Sequence, residues 1–153
     1  MRRQVSGAIG APPAGPVALP ASIRHAIVRH AVVEAPLEAC GLVIGDAPWA
    51  LGGRPLRFLP ATNVLAAPDR FEVDPAELVR ATVAADERGE AVWAVVHSHP
   101  RTDARPSSTD LAAAHDPGAL HLIVGPIRSG LTPRLRAWAI ERGTATELPL
   151  EGA

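Results

Sequence analysis

An uninterrupted apolar run, Ala91–Val96, leads directly into His97-Ser98-His99-Pro100 and limits the folds open to this chain more than any other segment. The run holds three valines and Trp93, which predicts a central strand covered on both faces. Pro100 cannot donate a hydrogen bond to a sheet and therefore ends the strand. Because side chains two apart in a strand point to the same side, His97 and His99 are expected to project together from the strand end.

Further helix and strand signals alternate along the chain on both sides of this strand. Helices are expected from Pro20-Ala21-Ser22 to Pro36, from the N-cap Asp74 to Gly89, and over Ser107–His115. Strands are expected over Gly41–Gly45, Pro55–Leu59, Phe71–Val73, Leu120–Val124, Leu135–Ile140 and Thr144–Leu148. We therefore predict the α/β class, with one domain in which a mixed sheet is flanked by helices. Residues 1–19, rich in proline, alanine and glycine, are predicted to form a flexible arm before one domain over residues 20–150.

The sequence also predicts the contacts or burial of several side chains. In the helix after Asp74, Glu77 is expected to reach back to the N-cap. The buried face of the same helix is predicted to consist of Leu78, Val79, Thr82 and Val83. Cys40 is interpreted as a small buried hydrophobe and not as a nucleophile. Of the three tryptophans, Trp93 and Trp138 are assigned to the core, and Trp49, beside a Gly-Gly turn, is expected to be exposed.

Length, charge and cysteine content exclude several classes of function. The 153 residues suffice for one domain whose core needs neither a disulfide nor a structural metal. The net charge is -1, so no basic field attracts nucleic acid or an anionic membrane surface, and neither is an expected partner. No segment reaches the roughly 20 apolar residues of a membrane span, and the N-terminal segment lacks the apolar run of a signal peptide, which predicts a cytoplasmic protein. Because Cys40 is the single cysteine, a zinc site here has to be built mainly from histidines and carboxylates.

A carboxylate follows the histidine pair at a spacing that suits a shared metal ion. Asp110 lies eleven residues after His99, in the first turn of the third predicted helix. A loop of that length can return the carboxylate to the histidines, and two histidines with one carboxylate leave a fourth position open, as at a catalytic zinc. The alternative for Ser107-x-x-Asp110 is a helix capping box, which Ser107 can form while it also faces the site. A site with a third histidine stays open too, since His115 and His121 follow.

Other families that carry a His-x-His pair fit the sequence poorly. The metallo-β-lactamase pattern requires an aspartate where Arg101 stands. Cupins require a glutamate a few residues on, and none follows before Glu141. Nucleotide deaminases require Pro-Cys-x-x-Cys, which a single cysteine excludes.

A hydrolytic metal site also needs a general base, and the residues alone do not identify it. Of the acidic residues that precede His97, six are considered: Glu34, Glu38, Asp46, Glu72, Glu77 and Asp86. Periodicity does not choose among them. Glu38 stands out only because it lies between a helix end and a buried strand, where an acidic residue is otherwise hard to justify.

The combined pattern resembles the motif of the JAB/MPN domain metalloproteases, called JAMM proteases. His97-Ser98-His99-Pro100 is followed by Ser107 and Asp110, eight and eleven residues after His99. The segment Pro36–Leu42 looks like the part of these proteins that carries an upstream glutamate, and the resemblance extends over roughly residues 22–149. It implies the JAB/MPN fold, which is cytidine deaminase-like.

The resemblance also implies a role for each matching residue. His97, His99 and Asp110 correspond to the ligands of one Zn²⁺ per chain. Glu38 corresponds to the general base that deprotonates the attacking water and later protonates the leaving amine, and Ser107 to the residue that supports the oxyanion. The implied reaction is cleavage of a peptide or isopeptide bond after the C-terminal Gly-Gly tail of a ubiquitin-like or sulfur-carrier protein.

Several aspects of the function stay open after the sequence has been considered. The leaving group is either a protein lysine or a small amine such as cysteine, and the oligomeric state, monomer or homodimer, is not fixed. The loops 61–70 and 101–106 are expected to form the walls of the substrate groove, and the extended tail can add as a strand at a sheet edge. The alternative functions are a module that binds a ubiquitin-like protein without cleaving it and a zinc amidohydrolase of a small molecule.

Overall fold

The computed structural model of the chain describes residues 11–151, and in that range six strands form one mixed sheet. The strands in chain order are β1 (Val17–Ala18), β2 (Cys40–Gly45), β3 (Pro55–Ala61), β4 (Ala91–Ser98), β5 (Leu120–Gly125), β6 (Arg134–Glu141), β7 (Thr144–Leu148) and β8 (Leu150–Glu151). The helices are α1 (Ala21–Glu34), α2 (Pro75–Glu87) and α3 (Ser108–Ala113), and a 3-10 turn covers Trp49–Leu51. The predicted mixed sheet with flanking helices is confirmed.

The strand β4 lies inside the large sheet, whose order is β3-β2-β4-β5-β6-β7. It pairs antiparallel with β2, where Cys40 is opposite His97, and parallel with β5, where Ile123 is opposite His97. The remaining neighbours in this sheet pair antiparallel. Trp93 and Val96 are 2% and 4% exposed, so the prediction of a buried central strand is confirmed. Its carboxyl end therefore presents the histidine pair from the middle of the sheet.

Helix α1 covers one face of the sheet. Ile23, Ile27 and Ala31 follow one another at helical spacing and are 6%, 1% and 2% exposed. They join the main core cluster together with residues of β2, β4, β5 and β6. Since full burial of one isoleucine side chain contributes about 1.5–3 kcal/mol, this face supplies a large share of the stability. The helix ends before Pro36, as predicted.

The opposite face is shared by α2 and α3. Ala85 of α2 packs over Leu42 and Ile44 of β2. Leu111 of α3 packs near Ile123 of β5, in a cluster that also holds Trp138. The odd-numbered residues of β4 from Val95 onward point to this face, so the candidate site lies between the two helices.

The start of α2 is capped as predicted, except for the role of Glu77. The Asp74 carboxylate accepts hydrogen bonds from the backbone N–H groups of Ala76 and Glu77. The Glu77 side chain does not reach back to the N-cap. It accepts hydrogen bonds from the backbone N–H and the hydroxyl of Thr62, at 2.7 and 2.8 Å, and so fastens α2 to the segment after β3.

The predicted buried face of α2 is wrong. All four residues assigned to it are exposed: Leu78, Val79, Thr82 and Val83. Ala85 is instead the buried residue of this helix, and Ala81 packs beside it against β2. The helix is rotated because small alanine side chains allow its backbone to approach the sheet, which the larger apolar residues do not.

Two smaller predictions are also wrong. Phe71–Val73 is not a strand, since Val73 makes only an isolated bridge to Asn63. Trp49 is 5% exposed and belongs to the main core cluster. The indole packs among the apolar side chains of that cluster, so little of it is in contact with solvent.

The last residues of the predicted arm belong to the packed domain. Val17 and Ala18 form β1, parallel to β8, and the Val17 N–H donates to the Pro149 carbonyl at 2.7 Å. Val17 and Leu19 are 4% and 1% exposed, because their apolar side chains join the core. Residues 1–10 of the predicted arm lie outside the described residues. Over residues 11–151, the helices are too short or too polar to cross a bilayer.

Candidate metal centre

The side chains of His97, His99 and Asp110 converge at the carboxyl end of β4. The Nε2 atoms of the two histidines lie 3.1 Å apart, and each lies 3.1 Å from Asp110 Oδ2. Asp110 comes from the first turn of α3, and the loop 99–107 brings it back to the strand end. The structure thus brings together the three residues that the sequence predicts as metal ligands.

The two histidines are held in different ways. His99 is 5% exposed, and its Nδ1 lies 2.8 Å from the Asp103 carbonyl oxygen. His97 is 1% exposed, and its Nδ1 has no hydrogen-bond partner. The His97 ring is stacked on Phe71 instead, with centroids 4.4 Å apart and planes 19° apart. One histidine is therefore oriented by a hydrogen bond and the other by packing.

Glu38 lies beside the histidine pair on the segment between α1 and β2. It is 3% exposed, its Oε1 is 3.8 Å from His99 Nε2, and its Oε2 has no hydrogen-bond partner. Its N–H donates to the Ala67 carbonyl at 2.9 Å, and its carbonyl accepts from Asn63 Nδ2 at 3.0 Å. Glu38 is therefore the member of the six acidic candidates that reaches the site, with its backbone held on both sides.

Burial and close contacts shift the pKa values of these groups. Burial raises the pKa of Glu38 to about 7, although His99 opposes the rise. Burial lowers the pKa of His97. Burial alone would also lower the pKa of His99, but hydrogen bonds to Asp110 and to the Asp103 carbonyl outweigh it and raise that pKa. Burial would raise the pKa of Asp110, but the two histidines hold it well below its usual range.

The donor set fits a divalent cation of the zinc type. Imidazole nitrogens and carboxylate oxygens are ligands that zinc accepts, and the three facing atoms leave room for a further ligand. A buried carboxylate oxygen of Glu38 without a partner indicates that the site is built for a positive charge. Glu38, His97 and His99 also form a group whose donor atoms lie within 4.8 Å of one another.

Ser107 forms the capping box that the sequence offered as the alternative interpretation. Its Oγ accepts from the Asp110 N–H at 3.1 Å, and its own N–H donates to Asp110 Oδ2 at 2.9 Å. The same carboxylate oxygen faces both histidines. The cap therefore orients Asp110 toward the site, so that the two interpretations of this motif describe one arrangement.

A cavity of about 910 Å³ adjoins the centre and lies between α2 and α3 over the sheet. Its wall includes His97 and Asp110, and its floor includes Leu42, Val95 and His121. Of the two loops expected to form the groove walls, the first contributes Arg70 to this cavity, and residues 101–106 do not line it. The space next to the convergent side chains is mainly apolar.

Four further residues support the centre and were not found from the sequence. Asn63 bridges the loop 61–72 to Glu38, and Phe71 covers His97. Arg136 binds the Asp103 side chain. Gly125 lies so close to the backbone carbonyl of His99 that a β-carbon would collide with it. An aromatic residue beside a loop or a glycine at the end of a strand carries no specific signal in a single sequence.

The comparisons with known proteins agree with this geometry. The profile of the Prok-JAB family, described as prokaryotic homologs of the JAB domain, matches residues 20–141. The chain belongs to this family. The resemblance to JAB/MPN proteins drawn from the His-x-His-Pro motif is therefore confirmed, and so is the fold class that it implied.

Relatives of this Prok-JAB protein are named as peptidases. The CysO-cysteine peptidase of Mycobacterium tuberculosis is 33% identical over 130 residues, which covers 85% of this chain and 86% of that protein. The desampylase of Haloferax volcanii is 34% identical over 116 residues, which covers 72% of this chain and 81% of that protein. A solution structure of a Desulfitobacterium hafniense protein has a TM-score of 0.69 at 28% identity, and the match covers 88% of this chain and 90% of that one.

Proposed function

We propose that this Prok-JAB protein is a zinc-dependent peptidase that cleaves the bond after the C-terminal Gly-Gly tail of a ubiquitin-like or sulfur-carrier protein. The observation that carries the proposal is the convergence of His97, His99 and Asp110 at 3.1 Å, with the buried carboxylate of Glu38 beside them. A buried acid next to two histidines that face each other has no evident structural purpose.

In this proposal His97, His99 and Asp110 hold one Zn²⁺. When bound, zinc makes water a nucleophile near neutral pH and polarises the scissile carbonyl. Glu38 takes the proton of the attacking water at one carboxylate oxygen and returns it to the leaving amine. In the metal-free site burial raises the pKa of Glu38 toward neutral pH, and a base poised near the working pH accepts and releases a proton readily.

Ser107 and Asp110 are the residues that the capping box ties together. The Ser107 hydroxyl is exposed at the start of α3, where it accepts a hydrogen bond from Asp110 and keeps its own proton available as a donor. We assign this hydroxyl to the developing oxyanion. A single oriented donor at that position contributes up to about 10²–10³-fold to the rate.

The substrate class is supported by the relatives and by the space beside the centre. One relative is named for CysO-cysteine and another as a desampylase, and both span most of this chain. The cavity that shares His97 and Asp110 in its wall provides room for groups next to the scissile bond. No observation favours a non-cleaving binding module, because the ligand set and the adjacent base are both intact.

The test is Glu38→Gln, which removes the proton acceptor and preserves the shape. We expect Zn²⁺ to remain and cleavage to fall by at least about 100-fold, as for a lost general base. Zinc content is measured on the purified protein, and cleavage by mass spectrometry with ubiquitin-like proteins that carry C-terminal extensions. Glu34→Gln, an exposed glutamate at the end of α1, is the matched control and should behave as the parent protein.

The other outcomes separate the alternatives. Loss of zinc in Glu38→Gln would make Glu38 a ligand and reduce Asp110 to a helix cap. Full zinc occupancy in both His97→Ala and Asp110→Ala would refute the ligand assignment. Substantial residual cleavage by Glu38→Gln would refute its role as the base.

A further inference from the structure

The orientation of His99 depends on one backbone carbonyl. The Asp103 carbonyl oxygen lies 2.8 Å from His99 Nδ1 and can only accept a hydrogen bond, so Nδ1 carries the proton. Nε2 of the neutral ring then presents its lone pair toward His97 and Asp110. A metal-binding histidine needs such a partner on its other nitrogen to fix the ring and its tautomer. Contacts that fix the position of Asp103 therefore also fix the orientation of the His99 ring.

Asp103 lies on an irregular loop and is fixed through its side chain. Its Oδ1 accepts from the Ala104 N–H at 2.9 Å, and its Oδ2 accepts from Arg136 Nη1 at 3.0 Å. The Asp103 side chain is 56% exposed, so solvent competes for it. The Arg136 side chain is only 10% exposed and comes from the rigid strand β6. The loop thus has one charged anchor on the sheet.

Arg136 is itself immobilised by two further groups. Its Nε and Nη2 donate to the two carboxylate oxygens of Glu147 on β7, both at 2.7 Å. Its guanidinium lies 4.8 Å from the ring centroid of Trp138, whose Nε1 donates to the Ala104 carbonyl at 2.9 Å. A bidentate pair combined with stacking on an aromatic ring leaves the guanidinium little freedom.

His97 and His99 differ in what orients their rings, and only the His99 ring depends on the loop. His97 has no hydrogen-bond partner at Nδ1 and is held by Phe71 and by burial in the sheet. His99 lies just beyond the end of β4, where its backbone N–H still donates to the Val124 carbonyl of β5 at 2.8 Å. The orientation of its ring, in contrast, relies on the chain of contacts from Glu147 through Arg136 to Asp103.

We propose that Arg136 is a positioning residue of the metal centre, which acts by tethering Asp103 so that its carbonyl holds His99 in the metal-binding orientation. Arg136 touches neither the metal ion nor the substrate. This inference rests on the proposed role of His99 as a ligand. The competing explanation is that Arg136 and Glu147 only join β6 to β7, in which case Asp103 has no part in metal binding.

The experiment measures Zn²⁺ affinity by competition with a chromophoric chelator on the full chain. Arg136→Met should weaken zinc binding by about 10-fold or more, within the 10–100-fold typical of outer partners of metal-binding histidines. Asp103→Ala, at an exposed loop position, should weaken it in the same direction, which covers the case that Arg136→Met fails to fold. The double variant should be no weaker than Arg136→Met alone, because the two residues act through one contact.

Arg57→Met is the matched control. Arg57 makes an ion pair of the same kind with Glu90, at 2.6 and 3.4 Å, on the edge strand β3 away from the loop. It should leave zinc affinity unchanged. Hydrogen exchange of the metal-free chain supplies a readout without zinc: the backbone amides of residues 101–105 should exchange faster in Arg136→Met and Asp103→Ala, and as in the parent protein in Arg57→Met.

Each contrary outcome points to one error. Parent-like zinc affinity in Arg136→Met or in Asp103→Ala overturns the positioning role while leaving the proposed function intact. Equal weakening in Arg57→Met also overturns it, since loss of any ion pair would then suffice. If the parent chain itself binds no zinc, the proposed function fails first, and this inference fails with it.

Discussion

His121 makes the stability of the metal-free protein dependent on pH. It lies on β5 opposite Val95 and is 8% exposed, in the floor of the cavity. Burial lowers its pKa from 6.5 to about 4, with a smaller contribution from nearby His97. Asp110 and Asp116 oppose the shift without cancelling it. Folding thus requires this ring to be neutral, and protonation favours the unfolded chain.

The size and the direction of the effect follow from these pKa values. Since the folded pKa is below the unfolded one, the unfolded chain binds more protons between pH 6.5 and about 4, and stability falls as the pH falls through that window. The full difference corresponds to about 3 kcal/mol, of which about 2 kcal/mol is lost between pH 8 and pH 5. Above about pH 8 the group contributes almost no pH dependence.

The assay compares urea unfolding of the chelator-treated protein at pH 8 and pH 5, followed by tryptophan fluorescence. Between the two pH values the parent protein should lose about 2 kcal/mol more than His121→Gln, whose side chain does not titrate. His97, Asp110 and Asp116 are present in both proteins, so the comparison isolates the titration of His121 together with its coupling to these three groups. His115→Gln, an exposed residue at the rim of the same cavity, should lose as much as the parent. An equal loss in His121→Gln and the parent protein would refute the reasoning.

Two further predictions concern the fold and the segment that carries Glu38. Chelation of zinc should leave the far-ultraviolet circular dichroism spectrum unchanged, because the core clusters under α1 form without the site; global unfolding would show that the metal is structural. Asn63→Ala should lower the free energy of unfolding by about 1 kcal/mol, since the part-buried Glu38 carbonyl loses its donor while the other three hydrogen bonds of the side chain are exposed, and should slow cleavage because the Glu38 carbonyl is released. Unchanged stability and rate in Asn63→Ala would show that the loop holds Glu38 without it.

The sequence predicted the sheet and the histidine pair because each has a strong local signal. A valine-rich run before His97 specifies a buried strand, and strand geometry alone places His97 and His99 on one side. Asp74 was assignable as an N-cap for the same reason, since capping is a property of neighbouring residues. The place of Asp110 needed only a loop length and a helix start.

The wrong predictions concern contacts between distant segments. Periodicity indicated an apolar stripe on α2, but whether Leu78 or Ala85 meets the sheet depends on how closely the helix approaches β2. The bond from Glu77 to Thr62 and the anchor from Arg136 to Asp103 join elements separated by many residues. No local pattern encodes such pairs, so the residues that orient the centre were harder to find than those that compose it.

The parallel pairing of β1 with β8 constrains the order in which the domain can fold during its synthesis. Val17 and Leu19 leave the ribosome well before their neighbours at Leu150 and Glu151 are synthesised. At about 5–20 residues per second, the interval is on the order of 10 s. During this interval Val17 and Leu19 lack their contacts with β8, although the hairpin of β2 and β3 can already form. The N-terminal segment therefore completes its strand pairing only after β8 has been synthesised.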